Sequence, residues 1–156
     1  GSQSDQLICL TDLFSTVGEI IGVKVPSGSC EDSVSFLPAL SGEKIKSTRK
    51  GLIHHSISGH FAYRMGKWKL LLAKASGGWS SPKENQVKAG APRAQLYDME
   101  LDIGEQKNLY ENEPEIASAI LLQLERDVRR GRSMDGPKSK NDIAEIELWK
   151  SLSKRD

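Results

Sequence analysis

Residues 53–72 read IHHSISGHFAYRMGKWKLLL, and the second half of this stretch decides the architecture. Alternation places Phe61, Tyr63 and Met65 on one side of a strand, and Gly66-Lys67 then supplies a two-residue turn with glycine first, the arrangement a type II′ hairpin prefers. In that register Met65 faces Trp68, Tyr63 faces Leu70 and Phe61 faces Leu72, which makes one face wholly apolar. The opposite face sets Arg64 against Lys69, a like-charge pair that costs roughly 0.2–1 kcal/mol unless carboxylates lie nearby. A one-residue slip would scatter the apolar set over both faces, so the register is firmly specified.

Working outward on the amino-terminal side, Ile53, His55 and Ile57 alternate with His54, Ser56 and Ser58. This pattern predicts a further strand, separated from the hairpin by Gly59. On the other side, Ala75 to Arg93 turns to Gly, Ser, Pro, Lys and Asn, the composition of a disordered segment or flexible excursion. Gln95 to Met99 is expected to add a fourth short strand, and the acidic Asp98, Glu100 and Asp102 that accompany it are placed to neutralise Arg64 and Lys69. Asn112 with Glu115 three residues on forms a capping box, Pro114 falls in the first turn, and Ile116, Ile120, Leu121, Leu124 and Val128 trace one face of a helix. That helix ends in Arg129, Arg130 and Gly131, cations and a left-handed cap at the carbonyl end of the dipole. Its apolar face is expected to cover the apolar face of the hairpin.

Earlier in the chain, Leu7 to Leu10 reads as a short strand. Thr11 or Asp12 can cap a helix bearing Leu13, Phe14, Val17, Ile20 and Ile21, closed by Gly22. A second cap at Asp32 or Ser33 introduces Val34, Phe36, Leu37 and Leu40, with Pro38 in the first turn and Gly42 as the stop. Glu43 to Lys50 reads as an exposed basic linker. After Ser133 the tail is either weakly helical or disordered. The resulting fold class is α+β: a small antiparallel sheet of about four strands packed against a carboxy-terminal helix, with helices ahead of it. The expected divisions are residues 1–6 (flexible start, Gly1-Ser2 resembling a cloning scar), 7–50, 51–132 and 133–156.

The chain has 156 residues, enough for one sizeable core. Its 22 Lys and Arg against 21 Asp and Glu leave a net charge of +1, which argues against a global field that draws nucleic acid or an anionic membrane. Cys9 and Cys30 are too few for a disulfide scaffold, and one bridge or two free thiols are equally compatible with them. No apolar run approaches the roughly 20 residues that span a bilayer.

His54 and His55, being adjacent, point to opposite faces of a strand and cannot chelate one metal together, and His60 lies beyond a glycine. No nucleophile elbow, phosphate loop, dinucleotide fingerprint or zinc-protease helix is present. Neither a catalytic residue nor a metal ligand is therefore assigned. Arg126, Arg129, Arg130 and Arg132 read as a helix end rather than a polyanion site, and Tyr63, Trp68 and Tyr97 as core.

Four pieces in order, TDLFSTVGEIIGV, EDSVSFLPALSGE, FAYRMGKWKLL and LYDMELDIGEQKNL, resemble the motifs of one family. Over residues 7–130 the chain looks like the carboxy-terminal portion of a formylglycine-dependent, arylsulfatase-type sulfatase of the alkaline phosphatase superfamily. Ile103 stands where that family usually carries proline. The family's Cys-x-Pro-Ser-Arg nucleophile motif is missing, since Leu-Thr-Asp follows Cys9 and Glu-Asp-Ser follows Cys30.

The resemblance implies a sulfuric ester hydrolase as the parent, with the formylglycine and a divalent cation, usually calcium, in an amino-terminal catalytic domain of the same polypeptide. This portion binds no cofactor of its own and is not competent alone. It implies that residues 7–50 belong to the α/β catalytic region and leave apolar faces around Phe14, Ile20 and Phe36 exposed when separated from it. The carboxy-terminal subdomain closes one side of the cleft, and His54 and His55 are the residues expected to touch the organic part of a sulfated small molecule or glycan, whereas Lys69 is expected to be structural. The family is commonly exported, whether periplasmic, extracellular or lysosomal. The alternative is a free-standing module that holds an acidic glycan or other polyanion through the loop near Trp79 or the basic tail.

Overall fold

The computed structural model describes residues 3–26 and 28–150. The order of elements is α1 (Asp12–Ile20), α2 (Leu37–Leu40), β1 (Leu52–His55), β2 (Phe61–Met65), β3 (Trp68–Leu71), a 3-10 turn (Glu84–Gln86), β4 (Gln95–Asp98) and α3 (Pro114–Arg130). The chain divides into two compact units, residues 1–52 with 127–142 and residues 53–126 with 143–156. No helix is long and apolar enough to cross a membrane among the described residues.

The second unit is built on a four-stranded antiparallel sheet in the order β1-β2-β3-β4. The hairpin has the expected register, with Met65 opposite Trp68, Arg64 opposite Lys69 and Tyr63 opposite Leu70. The Leu72 amide donates to the Phe61 carbonyl at 2.8 Å. Gly66, at φ 54°, occupies the left-handed region that the turn requires. Tyr63, Leu70, Leu96, Ile120 and Leu124 are fully buried and form the interior of this unit, as apolar alternation on the strands and a 3.6-residue period on α3 dictate.

Several local expectations give way to competing hydrogen bonds. The strand predicted through Ile57 stops at His55, because Ser56 to Gly59 form a turn in which the Gly59 amide donates to the Ser56 carbonyl at 2.8 Å and the His60 amide to Ser56 Oγ at 3.1 Å. Ile57 is left exposed. Helix α3 begins at Pro114, so the residue at the cap position is Glu113 rather than Asn112, and the Glu113 carbonyl takes the first helical bond from Ala117 at 3.0 Å. Ala75 to Arg93 is tied down rather than loose: both Glu84 carboxylate oxygens accept backbone amides, from Ala75 at 2.9 Å and from Lys74 at 3.1 Å. Residues 133–150 contain no helix. Residues 151–156, the end of the predicted tail, lie outside the described residues, as do Gly1 and Ser2.

In the first unit Leu7 to Leu10 forms no strand, and the Cys9 amide instead donates to Asp12 Oδ2 at 2.9 Å. Asp12 is the hub of this unit. Its carboxylate also accepts the Val34 amide at 2.9 Å and a two-pronged Arg49 guanidinium at 2.7 and 2.9 Å, and it is wholly buried. Arg49, from the segment read as an exposed linker, is itself only 7% exposed at its side chain. α2 is shorter than predicted, starting at Leu37 with Pro38 in its first turn.

The end of α3 matches its composition closely. The Gly131 amide donates to the Val128 carbonyl at 3.1 Å and the Arg132 amide to the Asp127 carbonyl at 3.2 Å, the paired bonds of a Schellman stop with Gly131 at φ 67°. A Cβ added at Gly131 would stand 2.5 Å from the Ser139 carbonyl oxygen. Gly131→Ala therefore meets both a left-handed backbone and a rigid neighbour, and an expected loss of roughly 1–3 kcal/mol is read from the urea midpoint.

Candidate functional site

The face of the sheet opposite the buried one carries the polar side chains. Lys69 pairs in register with Tyr97, and Leu70 with Leu96, so Tyr97 shares a face with Lys69 while remaining buried at 5% exposure. Tyr97 is buried, as its reading as core requires, but on the face opposite Tyr63. The alternation that puts Leu96 on one face of the sheet puts Tyr97 on the other.

This face floors a cleft of about 600 Å³ whose lining combines the strands with two loops. His54 and His55 come from β1, Lys69 from β3, Gln95 and Tyr97 from β4, Ser76, Ser80 and Ser81 from the loop after β3, and Glu105 from the turn after β4. The two histidines thus meet at one cleft although they alternate on their strand. His60 takes a different course: it is buried, with Nδ1 3.2 Å from the Leu72 carbonyl oxygen.

The cleft is polar and partly neutralised. Lys69 Nζ lies 2.5 Å from Glu105 Oε1. Glu105, not Asp98, Glu100 or Asp102, is therefore the carboxylate that relieves the Arg64–Lys69 opposition. Asp98 instead pairs with Lys67 at 2.6 Å, and Asp102 accepts the Gln106 and Lys107 amides at 2.9 and 2.8 Å. Gln95 fixes the floor, its Nε2 donating to the Ala73 and Ala75 carbonyls at 2.9 and 2.7 Å while its Oε1 accepts the Tyr97 hydroxyl at 2.5 Å.

Partial burial, followed by the charge of Lys69, pushes the His54 imidazole below its ordinary range. Burial and then Lys150 do the same for His55, whose ring also packs edge-on against Phe61 at 4.1 Å between centroids. Both are neutral imidazoles near pH 7, able to donate and accept hydrogen bonds. Burial and the nearby Glu105 and Asp102 carboxylates raise the Tyr97 phenol, which keeps its proton and its donor. A cleft lined by neutral imidazoles, serines, an amide and a phenol is suited to a hydroxyl-rich ligand. No group of three or more His, Cys, Asp or Glu placed to hold a metal ion occurs among the described residues.

His54 and His55, singled out from the sequence, line this cleft together with residues the sequence did not single out. Lys69 was read as structural and Gln95 as part of a strand; only the pairing of β3 with β4 brings them together. The basic cluster resolves into local structure: Arg130 Nη2 reaches the Met134 and Gly136 carbonyls at 3.4 and 3.3 Å, and Arg132 the Met134 and Pro137 carbonyls at 3.2 and 3.0 Å.

A second concavity, of about 570 Å³, lies in the first unit and is almost wholly apolar. Leu13, Phe14, Val17 and Ile21 line it, each at least 47% exposed.

No family model matches the chain, and no curated protein does. Solved structures do. A candidate sulfatase from Bacteroides thetaiotaomicron superposes with a TM-score of 0.57 at 22% identity, over 78% of this chain and 25% of that one. A structure labelled as a 6S-sulfatase, from work on glycosaminoglycan metabolism by the same organism, gives 0.56 at 22% identity over 74% and 24%. A third, in complex with its substrate D-glucosamine-2-N,6-O-disulfate, gives 0.52 at 21% identity over 74% and 22%. The likeness is one of fold, and this chain spans about a quarter of the length of the structures it matches.

Proposed function

We propose that this chain is the carboxy-terminal part of a sulfatase and that its sheet cleft receives the organic portion of a sulfated saccharide while the hydrolytic machinery is supplied by the rest of the polypeptide. The single observation that carries the reading is the cleft that gathers His54, His55, Gln95 and Tyr97 on a fold shared with a quarter of a sulfatase chain. The apolar concavity on α1 supports it. A surface bearing Phe14, Val17 and Ile21 in contact with water is a face that expects cover, and the absent three quarters of such a chain would provide it.

Calcium and formylglycine belong to that remainder in this reading. No step of this reading is routed through either group. The contribution of this chain is binding and orientation: neutral imidazoles and the Tyr97 hydroxyl hold sugar hydroxyls, and the position of the sulfate relative to the catalytic groups follows from how the ring is held. Export from the cytoplasm is part of the same proposal.

The reading separates from a free-standing glycan-binding module at the level of the gene. The expected reading frame ahead of this segment runs for several hundred residues and contains Cys-x-Pro-Ser-Arg; a natural initiator just upstream would overturn the assignment. The isolated chain is expected to release no sulfate from a chromogenic aryl sulfate, and turnover above buffer would contradict the division of labour.

A further inference from the structure

The described end of the chain returns to the second unit. Residues 143–150 belong to that unit, and the Arg93 guanidinium lies over the Trp149 ring, its Cζ 3.5 Å from the ring centroid. The next residue, Lys150, sets its ammonium against the turn after β1: a Cβ added at Gly59 would stand 2.7 Å from Lys150 Nζ. With Lys74, just past β3, these side chains line a further concavity of about 350 Å³. It adjoins the sheet cleft, since Lys74 lines both.

The charges of this concavity are unbalanced. Lys74, Arg93 and Lys150 bring three cations, and none of them has an ion-pair partner among the described residues. Among those residues Glu84 is the one carboxylate of the lining, and its two oxygens already accept the Lys74 and Ala75 backbone amides. His60 adds an imidazole whose Nδ1 is engaged with the Leu72 carbonyl. Like charges gathered at one concavity repel one another, and an anion between them relieves that repulsion. Stacking fixes the plane of the Arg93 guanidinium and leaves its N–H edge free, the edge that bonds two oxygens of one group side by side.

We infer that this concavity is a binding site for a tetrahedral oxyanion, sulfate or phosphate, in which Arg93 takes two oxygens, Lys74 and Lys150 neutralise the charge, and Trp149 positions Arg93. The site stands apart from the proposed role of the sheet cleft and does not depend on it. Its ligand is a free inorganic oxyanion or the same group esterified to a larger molecule. Exposed cations hold such a group weakly and in a salt-sensitive way.

The test is a titration of the isotopically labelled chain with sodium sulfate, at an ionic strength held constant with sodium chloride, followed by backbone and indole N–H shifts. Saturable shifts are expected at the Trp149 indole and at the Lys74 and Arg93 amides. Arg93→Gln and Lys150→Met each weaken sulfate by about two- to fivefold. Trp149→Leu weakens it too, with no change of charge, whereas Lys46→Met, the same loss of charge in the first unit, leaves it unaltered. Glucose 6-sulfate, titrated in parallel, distinguishes the source: binding no tighter than sulfate assigns the free oxyanion, tighter binding assigns the ester, and both uphold the site. Absence of saturable shifts at these positions, or an equal weakening by Lys46→Met, would overturn it and leave the reading of the sheet cleft standing. Arg93 and Lys150 are exposed, so an amide spectrum unchanged away from the concavity shows that folding is not the variable.

Discussion

Replacing Arg49 with alanine is expected to destabilise the unit formed by residues 1–52 and 127–142 by roughly 3–5 kcal/mol, the cost of leaving one half of a buried ion pair without its partner. The geometry makes this larger than an ordinary salt bridge. Two guanidinium nitrogens meet two oxygens of Asp12, and the two side chains are 7% and 1% exposed. Burial would push the Asp12 carboxyl up, but the hydrogen bonds from Arg49, Val34 and Cys9 together with the Arg49 charge outweigh it and hold the group below the usual carboxylate range. A carboxyl depressed in the folded state contributes stability that is fully present above its unfolded value near 3.8 and is lost as pH falls through the lower folded value. Acid unfolding of this unit therefore sets in below about pH 4. The check is hydrogen exchange at the Val34 amide, which donates to Asp12: faster exchange in Arg49→Ala at pH 7, and a much weaker acid dependence, are the expected results. Exchange like that of wild type would mean that the pair is not holding the unit together.

Leu124→Ala is expected to cost the second unit about 2–5 kcal/mol. Leu124 is fully buried, as are Ile120, Tyr63 and Leu70 of the same unit. Truncation removes apolar area and leaves a cavity that a sheet of four short strands has little freedom to close. The reading is again by hydrogen exchange, here at the Leu72 amide, which bridges to Phe61. The conservative Leu124→Met refills the volume and recovers most of the loss. Because the two substitutions lie in separate compact units, each has its own set of reporting amides.

The contrast between these units explains what could be read from residues alone. The hairpin was legible because its information is local: period-two alternation, a Gly-first turn and one consistent apolar face. The stop of α3 at Gly131 was legible for the same reason, since cations and a glycine act within one turn. Asp12 with Arg49 was not, because the partners are 37 residues apart and each also has an innocent local reading, as a helix cap and as part of a basic linker. The acidic partner of Lys69 was missed in the same way: Asp98, Glu100 and Asp102 are near it in pattern, while Glu105 reaches it only after the chain turns at Asp102.

The cleft follows the same division. His54 and His55 stand out in any reading of the sequence, as the only adjacent pair among three histidines. Gln95, Tyr97 and Lys74 do not, because a strand amide, a strand phenol and a loop lysine have no signature until the sheet register and the return of the loop bring them to one concavity. Tyr97 illustrates the point: it is buried, as its hydrophobic character suggests, but only the parity of the strand shows that it is buried on the face that floors the cleft. Physical chemistry at the residue level specified the scaffold, and the long-range pairing assembled the candidate site on it.

The proposal that the cleft holds the organic part of a sulfate ester for a catalytic apparatus elsewhere in the polypeptide is met most directly by steady-state kinetics of the complete polypeptide on a sulfated saccharide that it hydrolyses, wild type against His54→Ala. The account predicts a several-fold rise in KM with kcat changed much less, the signature of lost binding common to ground and transition states. Kinetic constants indistinguishable from wild type, in His54→Ala and in His55→Ala alike, would contradict it.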